Sequence, residues 1–64
     1  MIFINNQPFK IEDGMTVKQA LDLFGAILPY AVLHNGDFLP QSKQAETLLS
    51  NKDVLEVISA IQGG

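Results

Sequence analysis

The chain opens on an unbroken β-type run, Met1-Ile2-Phe3-Ile4, followed by Asn5-Asn6-Gln7-Pro8, which has the composition of a turn. Phe9-Lys10-Ile11-Glu12 then alternates apolar and charged residues, the pattern of a half-buried strand. Together they predict an N-terminal hairpin closed by Asp13-Gly14. From Thr16 the period changes. Val17, Ala20, Leu21 and Phe24 fall at i, i+3, i+4 and i+7, on one face of a helix. Thr16 with Gln19 three residues later has the form of a capping box, Gly25 suits the position after the last helical residue, and Pro29 blocks continuation. Lys18 and Asp22 make an i, i+4 pair on the solvent side. A helix is predicted over residues 17–24.

Tyr30-Ala31-Val32-Leu33-His34 reads as a third strand, and Asn35-Gly36 as a tight hairpin turn, since both residues tolerate positive φ. Asp37-Phe38-Leu39 is a short fourth strand closed by Pro40. Residues 41–46 are polar and loop-like, and Thr47-Leu48-Leu49 returns to the core as a short turn or 3₁₀ segment. Residues 54–60 form a last strand, rich in β-branched side chains. The order is ββαβββ, or ββαββ without the short fourth strand. It implies an α+β, two-layer domain: a small mixed sheet of four to five strands packed on one main helix, its first and last strands able to pair in parallel. In the last strand, placing Glu56 in solvent turns Leu55 and Val57 to the helix and sends Val54 and Ile58 outward. With Ile2 and Ile4 in the core, Phe3 also faces outward. Phe3 and Ile58 are therefore candidate partner-docking residues on the open face of the sheet, set against the ordinary occurrence of single exposed hydrophobes.

At 64 residues the chain is expected to be one domain, 1–64, with a flexible C-terminal tail at 61–64. It has no Cys and one His, so neither a disulfide framework nor a Cys/His zinc site is available, and the core must hold by packing, for which 47% hydrophobic content is adequate. Net charge is −3, with four Lys and no Arg, which argues against nucleic-acid binding. No apolar stretch reaches membrane-spanning length, and no basic n-region precedes the first strand, so a cytoplasmic location is the default expectation.

Catalytic groups are scarce. Ser42, Ser50 and Ser59 have only His34 to share and no strained Gly-x-Ser-x-Gly turn. There is no Walker-type Gly-Lys-Ser/Thr. His34 is read as a residue flanking the Asn35-Gly36 turn, and Glu12, Asp13, Asp37, Asp53 and Glu56 as scattered solvated carboxylates. So small a domain has little room for a closed pocket of about 300 Å³ or more. The chain is expected not to be an enzyme, with no bound cofactor and no metal site.

The remaining feature is Ile61-Gln62-Gly63-Gly64, directly after the last strand. With Gly at about 7% of residues, two chance terminal glycines occur in roughly one chain in two hundred. A frayed terminus or an expression remnant is one account. A reactive carboxylate is the other: adenylation by ATP would turn the terminal oxygen into part of a leaving group that a sulfur nucleophile then displaces. Glycines lacking Cβ pass close to a partner's backbone and nucleotide, and the four residues after Ala60 reach at most about 13–14 Å when extended. Gly64 is then the modified residue, Gly63 gives access, and Ile61 and Gln62 join the docking residues.

Across essentially its whole length the chain resembles the ThiS-type sulfur carriers of thiamine biosynthesis, in the ThiS/MoaD superfamily with its ubiquitin-like β-grasp fold. The resemblance is carried by Ile4-Asn5 and the turn after it, Gly14-Met15-Thr16-Val17, Leu33-His34-Asn35-Gly36, Leu39-Pro40, and Asp53-Val54-Leu55-Glu56-Val57-Ile58 running into the terminal glycines. It implies a β-grasp fold and a protein that is monomeric alone. It also implies that Gly64 is adenylated by a ThiF-like, E1-type adenylyltransferase using ATP. A sulfurtransferase or cysteine desulfurase then supplies sulfur to make a thiocarboxylate, which is delivered to a ThiG-like thiazole synthase. Where many members have Arg after the Pro of the fourth strand and a Trp shortly beyond, this chain has Gln41 and Ala45. A molybdopterin-synthase-type carrier, a lysine-conjugating ubiquitin-like modifier and a non-covalent β-grasp binding module are the alternatives.

Overall fold

Eight consecutive residues, Val17–Phe24, form the helix α1, and its ends follow the capping chemistry of the sequence. Thr16 accepts a hydrogen bond from the Gln19 amide through Oγ1 while its own amide donates to Gln19 Oε1, so the capping box satisfies two backbone donors at the helix start. Gly25 closes the helix at φ +93°, a left-handed conformation that a Cβ disfavours, with its amide donating to Leu21 and Asp22. On the solvent side Lys18 Nζ lies 2.9 Å from Asp22.

A computed structural model describes residues 1–59. Its strands are β1 (Ile2–Ile4), β2 (Gln7–Phe9), β3 (Tyr30–His34), β4 (Asp37–Phe38) and β5 (Val54–Ser59), and a single helical turn, α2, spans Gln41–Gln44. The strands make one sheet in the order β2-β1-β5-β3-β4. β1 and β5 pair in parallel, Phe3 opposite Val54, and all other pairs are antiparallel. The core lies between sheet and helix: Ile2, Ile4, Val32 and Leu55 from strands, Val17, Ala20 and Leu21 from α1, and Leu49 from the loop before β5. Phe24 leaves the stripe at the edge, where its ring meets that of Phe9 edge-on at 6.3 Å.

Three local expectations change. The first turn is only Asn5-Asn6, both at positive φ, so β2 begins at Gln7, not Phe9. Phe9 then lies opposite Ile2, the first residue of β1, and no strand remains for Ile11 and Glu12 to pair with. Pro8 sits inside β2 without cost because β2 is an edge strand. Residues 41–44 are helical instead of loop; a single turn is too short for its polar residues to show a helical period. Thr47-Leu48-Leu49 is neither a turn nor 3₁₀. It is an extended bridge to the entrance of α1, with the Val17 amide donating to Thr47 and the Leu49 amide to Met15, so Leu49 is buried and Leu48 exposed.

α2 also buries Gln44 to 1% exposure, and its Oε1 has no hydrogen-bond partner. An unpaired buried amide oxygen costs about 1–3 kcal/mol. Gln44→Leu should therefore stabilise the domain by about 1 kcal/mol, which in a chain this short raises the melting midpoint by about 4–8 °C. Calorimetry on the purified variant checks it, and an unchanged or lower midpoint would count against it.

Candidate functional site

β5 is the middle strand of the sheet and the element from which residues 60–64 follow. Its placement determines where that segment starts. β1 flanks it on one side and β3 on the other, β3 matching it from Tyr30 opposite Ser59 to His34 opposite Leu55. β1 ends at Ile4, which by itself would leave the later half of β5 without backbone partners on that side. Asn5 fills the gap. Held at φ +51° by the turn, it donates its amide to Leu55, accepts the Val57 amide at Oδ1 (2.8 Å), and reaches the Val57 carbonyl with Nδ2 (3.5 Å).

Asn35, in the other hairpin turn at φ +53°, does the same at the start of β5. Its amide donates to Val54 O at 2.7 Å and its Oδ1 accepts the Val54 amide at 2.8 Å. Two turn asparagines thus carry the sheet's hydrogen bonding past the ends of their own strands. The sequence shows both as turn formers, but not the partner, 52 and 19 residues away.

Asn35 also donates to Asp53 Oδ1, while Asp53 Oδ2 accepts the Ser50 amide at 2.9 Å and lies 3.0 Å from His34 Nε2. Burial pushes the Asp53 carboxyl up, but hydrogen bonds from His34, the Ser50 amide and Asn35, with the charge interaction with His34, outweigh it and hold the carboxyl below its ordinary range. His34 does flank the turn, as its position in the sequence indicates; its pairing with Asp53 is a tertiary result. All three partners of this carboxylate position the turns around β5. Among the described residues no three His, Asp or Glu come together as a metal site, and no helix is long and apolar enough to cross a membrane.

The open face of the sheet carries the outward residues. Phe3 is 39% and Ile58 53% exposed, and both stand on the face away from α1, as does Val54. Phe3 lies opposite Val54 in the parallel pair, whereas Ile58 lies four residues further along β5, about 13 Å at strand rise. Phe3 and Ile58 therefore share a face without forming one contact. Leu33, opposite Glu56, and Phe38, opposite Leu33, extend the apolar surface to the far edge. Leu33 is not apparent from the sequence, because 30–33 is apolar throughout and alternation cannot assign its faces, and Phe38 takes its face from Leu33 opposite. Ala60, the expected end of the last strand, and Ile61, Gln62, Gly63 and Gly64 lie outside the described residues. On the helix layer, an open groove of about 450 Å³ runs between residues 12–15 and the solvent side of α1, more room than expected but not enclosed.

A family model matches residues 2–64, and it is that of the ThiS family. The chain belongs to the ThiS family. Among solved structures, this ThiS-family chain is similar to the crystal structure of the thiamine biosynthesis protein ThiS from Geobacter metallireducens, with a TM-score of 0.80 at 19% identity, over 98% of this chain and 97% of that one. At that identity the likeness speaks to fold, and the fold of this family member is the β-grasp. No curated protein matches the chain.

Proposed function

We propose that the protein is a sulfur carrier for thiamine biosynthesis, with Gly64 as the residue that bears the sulfur. The observation that carries this reading is family membership over 2–64 together with a Gly63-Gly64 pair that follows the central strand. The Gly64 carboxylate oxygen attacks the α-phosphorus of ATP on a ThiF-like adenylyltransferase and pyrophosphate leaves. The terminal sulfur of a persulfide on a sulfurtransferase or cysteine desulfurase adds to the carbonyl carbon of the acyl adenylate, and AMP departs with the original carboxylate oxygen. A thiol then attacks the donor-side sulfur of the resulting acyl disulfide, forming a disulfide with the donor and leaving a thiocarboxylate for a ThiG-like thiazole synthase. All catalytic groups come from the partners, so the chain acts as a substrate.

Incubation with ATP, the activating enzyme and a sulfur donor should raise the intact mass by the difference between oxygen and sulfur. No shift, with an enzyme active on another carrier, would refute the proposal.

Phe3 and Ile58 are the residues through which the open face would meet the activating enzyme, with Ile61 and Gln62 continuing the contact along the tail. Because both face solvent in the free domain, Phe3→Asp or Ile58→Asp should leave the fold intact. Each should weaken binding by about tenfold or more, since a carboxylate is desolvated against an apolar partner. Titration calorimetry measures the affinity, and equal affinities for variant and parent would remove the face from the interface.

A further inference from the structure

A second apolar surface lies at the end of the sheet where β5 stops. In the connection between α1 and β3, Ile27 is 81% and Leu28 54% exposed. From residue 23 to residue 33 the sequence contains no charged side chain. These residues are not on the open face described above. The Tyr30–Ser59 pair sets their place, since the connection enters the sheet at Tyr30, beside the last described residue of β5. Ile58, one residue before that point and opposite Ala31, is the open-face residue nearest to it in register.

Only five residues separate Ser59 from Gly64, at most about 16–18 Å of extended chain. An enzyme that brings Gly64 to its nucleotide therefore has its own surface within that distance of Ser59, a range that includes the neighbouring connection. Exposed aliphatic side chains there, with no charge among them, fit an apolar surface and not a basic one.

We propose that the α1–β3 connection, through Ile27 and Leu28, is a second docking element that packs against an apolar surface of the adenylating enzyme at the mouth of the channel that takes Gly64. This rests on the sulfur-carrier reading. It adds a contact that sits at the root of the tail and is separate from the open face.

The test is ATP–pyrophosphate exchange by the ThiF-like enzyme, with the full chain as variable substrate. Ile27→Asp should raise KM for the carrier about tenfold or more with kcat little changed, and Ile27→Met should restore the parental KM. A parental melting midpoint and amide spectrum for Ile27→Asp would show that the change acts at the surface. An unchanged KM for a folded Ile27→Asp chain, with the parent exchanging normally, overturns the proposal. No exchange by the parent, with an enzyme active on another carrier, overturns the carrier reading itself. Two other occupants would also overturn it: a dimer in sedimentation that Ile27→Asp splits while KM stays unchanged, or Ile27 methyl signals in the free protein that shift on deletion of 61–64 with no effect of Ile27→Asp on KM.

Discussion

Deletion of Gly64 should reduce kcat/KM for ATP–pyrophosphate exchange by about 100-fold or more. Exchange measured with the ThiF-like enzyme at matched carrier concentrations is the check. The shortened chain still ends in a glycine carboxylate, so charge and chemistry are retained and only position changes. One residue spans about 3.3–3.6 Å of extended chain, and misplacing a reacting group by about 1 Å already costs around 100-fold. β5 cannot slide to compensate. β5 is hydrogen-bonded on both sides, by Asn35 at Val54, by Asn5 at Val57 and by β3 through Ser59. The deletion should leave the melting midpoint unchanged, because the core runs from Ile2 to Leu55. Exchange at the parental rate would show that Gly64 is not the activated residue.

Asp53→Ala should destabilise the domain by at least about 2 kcal/mol, and by more than Asp53→Asn. A hydrogen bond to a charged group contributes about 1.5–3 kcal/mol, and Asp53 receives bonds from His34, Asn35 and the Ser50 amide with 13% of its side chain exposed. Asn keeps one acceptor, whereas Ala leaves all three donors without it. The pH dependence has a definite sign. A carboxyl whose folded-state value is depressed contributes stability above its unfolded value, near pH 4, and that contribution is lost as pH falls through the folded-state value. The gap in unfolding free energy between the parent and Asp53→Ala should therefore be widest near neutrality and narrow in acid. Urea titrations over that range measure it, and a gap independent of pH would mean that the carboxylate charge contributes nothing.

How much was legible in the sequence can be seen residue by residue. The helix was fully legible, because Thr16, Gln19 and Gly25 end it through contacts within a few residues and the apolar stripe has the helical period. The Asn35-Gly36 hairpin and the outward direction of Phe3, Val54 and Ile58 were legible for the same reason: turn chemistry and strand alternation are local. The beginning of β2 is not legible because register, not composition, decides where pairing starts, and a two-residue turn with Phe9 opposite Ile2 exhausts β1. α2 was invisible since four residues cannot display a period, and burial of Gln44 depends on what lies beneath it. For the candidate site, the outward direction of Phe3 and Ile58 is legible in advance, while the tail glycines lie outside the described residues. The direction of Leu33 is not legible, because a run apolar on both faces carries no information about it, nor is that of Phe38, whose face is set by Leu33 opposite.

The sequence by itself therefore determined the helix and its caps, the tight hairpin, the alternation that gives the sheet an inner and an outer face, and the Gly63-Gly64 pair after the last strand. Tertiary structure alone decided that β5 lies in the middle of the sheet, that Asn5 and Asn35 grip it from turns far away in sequence, and that Asp53 gathers His34, Asn35 and Ser50. It also placed Ile27 and Leu28 at the strand end from which the tail continues. The difference has one physical origin. Capping, turns and alternation are interactions between near neighbours, so the residue types record them. Strand order and register depend on which distant segments bury their apolar faces together.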